Sequence, residues 1–98
     1  MYGTVARLDV KPGKFEELQK WAEDHPMPDS PGAVAGYAFR MDDDANEGYL
    51  VVVFESEDAY KTNAERPETD REFRKMMQWL ESEPEWHDGN VVWAEQVS

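Results

Sequence analysis

Apolar and polar residues alternate from the start of the chain. Tyr2, Thr4, Ala6, Leu8 and Val10 fall on one side of an extended backbone and Gly3, Val5, Arg7 and Asp9 on the other, which predicts a strand over 2–10. Lys11-Pro12-Gly13 ends it. From Lys14 the period changes: Phe15, Leu18, Trp21, Ala22 and His25 recur at three- and four-residue intervals with Glu16, Glu17, Lys20 and Glu23 between them, the pattern of an amphipathic helix. The stretch Pro26-Met27-Pro28-Asp29-Ser30-Pro31-Gly32 admits no regular element and predicts a loop. Strands follow over 33–41 and 49–55, joined by the acidic hairpin Asp42-Asp43-Asp44-Ala45-Asn46-Glu47-Gly48. Ser56 is placed to cap a second helix, Pro67 to interrupt it, and Thr69-x-x-Glu72 to restart it as a capping box. Phe73, Met76, Met77 and Leu80 then form an apolar stripe. A loop over 81–88 and a Val- and Trp-rich strand over 90–97 complete the chain.

The predicted order β-α-β-β-α-β is that of an α+β, ferredoxin-like fold: a four-stranded antiparallel sheet with two helices on one face. Two helices cover only that face. The other face receives Val5, one of the two Val sets of the third strand and part of the aromatic content of the fourth. Left in water it forms an apolar patch on the order of several hundred Å². The chain is therefore expected to pair with itself through the sheet face, as a homodimer whose two sheets enclose a shared α+β barrel.

Length and charge narrow the partners. The 98 residues predict a single domain over 1–98. With 22 acidic against 10 basic side chains the net charge is −12, which repels phosphate backbones and anionic lipid, so neither nucleic acid nor membrane is expected as a partner. The chain has no Cys, hence no disulfide, thiolate metal site or cysteine nucleophile. Its longest apolar run, Leu50 to Phe54, is five residues, and no basic leader precedes the first strand; a cytoplasmic location is expected. Asp42, Asp43 and Asp44 are contiguous, mutually repelling acids with Glu47 three residues on; they lack calcium-loop spacing and read as a solvated turn, and no metal is expected.

The strand-helix opening, the loop ending Pro31-Gly32 before Ala33-Val34-Ala35-Gly36-Tyr37, and above all the run Tyr49-Leu50-Val51-Val52-Val53-Phe54-Glu55-Ser56-Glu57-Asp58-Ala59-Tyr60 resemble the antibiotic biosynthesis monooxygenase (ABM) family, of the dimeric α+β barrel superfamily. The likeness covers roughly residues 2 to 97. It implies a monooxygenase that needs no cofactor and acts on a small aromatic or quinol-type metabolite. The alternative is a non-catalytic, small-molecule-binding or stress-associated barrel protein. The family's haem-degrading branch has Asn, Trp and His at the positions that match Ala6, Asn63 and Glu72 here, so haem degradation is not expected. Many other members resemble one another in a His where this chain has Asn63.

Cofactor-free oxygenation needs an aromatic-walled pocket and one or two polar groups that stabilise a substrate oxyanion. Trp21, Tyr37, Tyr60 and Trp79 are the candidate walls, and Asn63 the candidate catalytic amide. His25, at the end of the first helix, is the candidate general base. Each has a plainer reading: core filling for the aromatics, and a cap favoured by the helix dipole for His25.

Overall fold

In a computed structural model, residues 1–24 and 30–97 are described. The elements are β1 (Tyr2–Asp9), α1 (Phe15–Asp24), β2 (Ala33–Arg40), β3 (Glu47–Phe54), α2 (Glu57–Ala64), α3 (Pro67–Met77) and β4 (Glu85–Asn90). They form one antiparallel sheet in the order β2-β3-β1-β4, with β1 in the interior. The ferredoxin-like expectation holds, with three helices instead of two.

The parity of β1 sets the two faces. Thr4, Ala6, Leu8 and Val10 are buried under the helices, where Leu8 and Val10 form a core with Phe15 and Leu18 of α1 and with Met76 and Leu80. Phe54, the partner of Tyr2 across the sheet, is 1% exposed and is the largest of the described side chains buried to that degree. Gly48 lies opposite Leu8 on this same side; a Cβ there would meet the Phe15 ring at 3.0 Å, so glycine lets α1 seat on the sheet. On the other face Val5, Val51 and Tyr37 stand in one row across three strands, and Phe39 and Tyr49 in the next. No helix of the described residues covers them, and Tyr37 is 62% exposed. Arg7, on that face, bonds Glu47 at 2.8 Å and approaches Glu85 at 3.6 Å.

Two expectations need correction. The last strand is Glu85–Asn90, and residues 91–97 lie outside regular structure. Val and Trp content pointed to the later segment, but register is decided by β1: Arg7 pairs with Glu85, and Tyr2, the first residue of β1, pairs with Asn90. After Val91 N–H donates to the Met1 carbonyl at 3.0 Å, the edge of β1 is used up. Val92 and Trp93 are accordingly 96% and 74% exposed.

The second correction concerns Pro67, which starts α3 instead of interrupting a longer helix. Its fixed φ and missing N–H suit the first helical turn, where no intrahelical bond is required of it. Thr69 is then already inside the helix and is not its cap. Ser56 does cap α2 as expected, accepting from Ala59 N–H at 3.1 Å. The acidic hairpin closes by an Asx turn, with Asn46 N–H donating to Asp44 Oδ1 at 2.9 Å.

Candidate active site

Asn63 lies on the inward side of α2, half-buried. The turn into α3, fastened by Arg66 N–H on the Asn63 carbonyl at 3.1 Å, brings Thr69 back over it. Thr69 Oγ1 donates to Asn63 Oδ1 at 3.4 Å. With the amide oxygen so engaged, the NH₂ branch is the end left for a ligand's oxygen. Asn63 also borders an open groove of about 300 Å³, together with Gly32, Asp58, Ala59, Thr62 and Arg66. Gly32 makes the groove possible: its φ is +81°, and a Cβ would stand 2.7 Å from Ala59 Cβ, so only glycine lets this loop close on α2.

Trp21 of α1 packs on Trp79, just past α3, with ring centroids 5.5 Å apart and planes at 47°. Both border the core beside Phe73 and Met77. Glu72 stands one turn beyond Thr69 on α3, while Trp79 lies past the helix end, its N–H on the Met76 carbonyl at 3.1 Å.

Tyr60 serves a different purpose. Its hydroxyl donates to Asp88 Oδ1 of β4 at 2.9 Å, and its ring lies 5.4 Å from Tyr2 and 5.7 Å from Phe54. Burial and then the bond to Asp88 push its pKa up to about 12, against a smaller opposing pull from Thr4. The phenol is thus a neutral donor that ties α2 to β4. Because the folded-state pKa lies above the ordinary 10, the neutral form supports the fold fully below pH 10, and that support is lost as pH rises through about 12. Urea midpoints measured across this window are expected to fall more steeply for wild type than for Tyr60→Phe. The phenolate absorbance step near pH 12 is expected to be missing from the variant.

The helix-covered side therefore collects Asn63, Trp21, Trp79 and Tyr60. Tyr37 does not join them: its partner Val51 lies in the row of Val5, on the opposite face, with the sheet between. His25 lies outside the described residues. Glu72 is not a capping-box partner; its Oε1 lies 3.8 Å from Lys75 Nζ, one turn on along α3. No helix of the described residues is long and apolar enough to cross a membrane.

A family model for antibiotic biosynthesis monooxygenases matches residues 1–79. The chain belongs to the antibiotic biosynthesis monooxygenase family. Solved structures agree on the fold. A Chloroflexus aurantiacus protein bearing the family name superposes with a TM-score of 0.80 at 15% identity, over 99% of this chain and 98% of that one. One from Bordetella bronchiseptica gives 0.75 at 22% identity, over 94% and 97%. SnoaB of Streptomyces nogalater, a cofactor-independent oxygenase whose structure is of an asparagine-to-alanine variant, gives 0.76 at 18% identity, over 95% and 94%. No curated protein matches the chain.

Proposed function

We propose that this family member is a cytoplasmic, homodimeric, cofactor-independent monooxygenase-like protein acting on a small aromatic or quinol-type metabolite. The observation that carries the reading is the Asn63 amide, held by Thr69 on the helix-covered side of a sheet whose fold is that of monooxygenase-named proteins. Trp21 and Trp79 are the aromatic wall beside which a flat substrate lies. An electron-rich substrate can itself reduce dioxygen. Conversion of an activated CH₂ to C=O places one oxygen atom on carbon and releases the other, with both hydrogens, as water, so the balance needs no outside reductant. The protein's part is to hold the substrate and to meet negative charge on its oxygen with a fixed donor, for which the Asn63 NH₂ is the candidate.

The homodimer reading is supported by the uncovered row of Tyr37, Val51 and Val5, which two copies would hide face to face. The alternative is a protein that holds the same class of molecule without turnover. It is favoured by one observation: the amide in this position cannot accept a proton as an imidazole would.

Oxygen consumption with a panel of hydroquinones and anthrones tests the reading. Uptake is expected with wild type, reduced by about 10²-fold or more in Asn63→Ala, the effect of deleting one oxyanion donor. Equal uptake by both proteins removes Asn63 from the chemistry; no uptake by either leaves the binding protein.

A further inference from the structure

Residues 91–97, Val-Val-Trp-Ala-Glu-Gln-Val, have the composition of a strand but lie outside regular structure. Once Val91 N–H has taken the Met1 carbonyl, β1 offers them no further edge, and Val92, Trp93 and Val97 are left largely in water. One exposed valine is ordinary. Two valines and a tryptophan so close together, on a segment that packs on nothing, are an apolar surface in want of a cover.

β2 is the complementary case, an edge without a strand. It is bonded to β3 on one side, and no strand of the described residues pairs with the other. Edge strands are ordinarily blunted by lysine, proline or several charges. β2, Ala-Val-Ala-Gly-Tyr-Ala-Phe-Arg, has a single charge, on its last residue, and Val34, Tyr37 and Phe39 stand half or more in water. The sheet's other edge is defended: β4 carries Glu85 and Asp88, which oppose a segment containing Glu95.

The segment cannot pair usefully with β2 of its own chain. It leaves from β4, and the position beyond β2 is about 19 Å away across the sheet, at about 4.8 Å per strand. Extended chain covers at most about 3.6 Å per residue, so the crossing consumes about five of the seven residues and leaves about two to pair. A second copy presents its β2 without that crossing. Tyr37 and Phe39 of β2 also belong to the uncovered sheet face, so the free edge is continuous with the surface through which two copies would meet.

We propose that residues 91–97 of each copy add as a fifth strand to the free edge of β2 in the other copy. Trp93 and Val97 fall on one side of an extended segment, as Tyr37 and Phe39 fall on one side of β2, so the pairing sets apolar side chains beside apolar side chains while the new ladder satisfies both backbones. Two-fold symmetry makes the exchange reciprocal. The inference rests on the homodimer reading above and names the segment that fastens it.

The test is amide hydrogen exchange read by mass spectrometry on the full chain, at a concentration where sedimentation shows pairs and again after dilution to single chains. Residues 91–97 and 33–40 are expected to exchange slowly in the pair and at least about tenfold faster together on dilution, with β1 and β3 unchanged. Trp93→Pro and Ala94→Pro are the variants. Consecutive N–H groups of a strand point to opposite sides, so at least one of the two removes a ladder bond whatever the register, and that variant is expected to free the β2 amides and weaken pairing by about tenfold or more. A pair in which 91–97 exchange as free chain, or β2 protection that survives both prolines, overturns the exchange and leaves the homodimer. Slow exchange of 91–97 that persists in single chains places the segment on its own protomer and also overturns it. A wild-type particle of 11.4 kDa at every concentration removes the homodimer and the exchange with it.

Discussion

Phe54→Ala is expected to lower the free energy of unfolding by about 3–5 kcal/mol, a large part of the about 5–15 kcal/mol that holds a domain of this size together. The ring is 1% exposed at the end of β3, opposite Tyr2, and Tyr60 leans on its edge at 5.7 Å. Truncation removes the transfer free energy of an aromatic side chain and leaves a void that helix and strand cannot both close. The damage reaches the site, because Tyr60 loses a support one turn from Asn63. Urea denaturation followed by circular dichroism reads the first effect. The phenolate titration of Tyr60, displaced downward from about 12 as water reaches the ring, reads the second. A loss below about 1 kcal/mol removes Phe54 from the core's principal supports.

Val51→Glu is expected to separate the proposed homodimer while sparing the fold. Val51 sits between Tyr37 and Val5 in the middle of the sheet face that the helices leave uncovered. In an isolated protomer the new carboxylate meets water there. In the dimer two of them, one from each copy, are enclosed between sheets where the nearby Arg7 is already engaged by Glu47 and Glu85, a situation that costs several kcal/mol and weakens association by about a hundredfold or more. Analytical ultracentrifugation is expected to show wild type at twice the 11.4 kDa chain mass and the variant at 11.4 kDa. Ala22→Glu, the same charge placed on the exposed side of α1, is expected to remain paired. A wild-type particle of 11.4 kDa would overturn the dimer, and a variant that stays paired would move its interface off this face.

Where periodicity was strong, the chain announced its own structure: the alternation through Val10, the three-four spacing from Phe15 to Trp21 and the valine run of β3 all correspond to elements. β4 was hidden because its residues, Glu-Trp-His-Asp-Gly-Asn, have little strand preference. They become a strand because β1 offers an edge and Glu85, Trp86 and Asp88 reach Arg7, Phe73 and Tyr60. The candidate site was legible in its helical members, since helix faces follow from spacing. Tyr37 was not, because the face it occupies depends on pairing with Val51, beyond an irregularity between Ala33 and Ala35 that local pattern does not reveal. The Thr69-x-x-Glu72 pattern does not cap α3, because Pro67 already occupies the first helical position and places Thr69 inside the helix.

The sheet order also governs how the molecule comes into being. Of the four strands β1 is synthesised first, yet like β3 it has neighbours on both sides, one supplied by residues 47–54 and the other by residues 85–90. Until residues 85–90 have left the ribosome, β1 has at least one row of amides and carbonyls unanswered. Closure is non-local and correspondingly slow, and the nascent chain spends its synthesis exposed to wrong partners along that row.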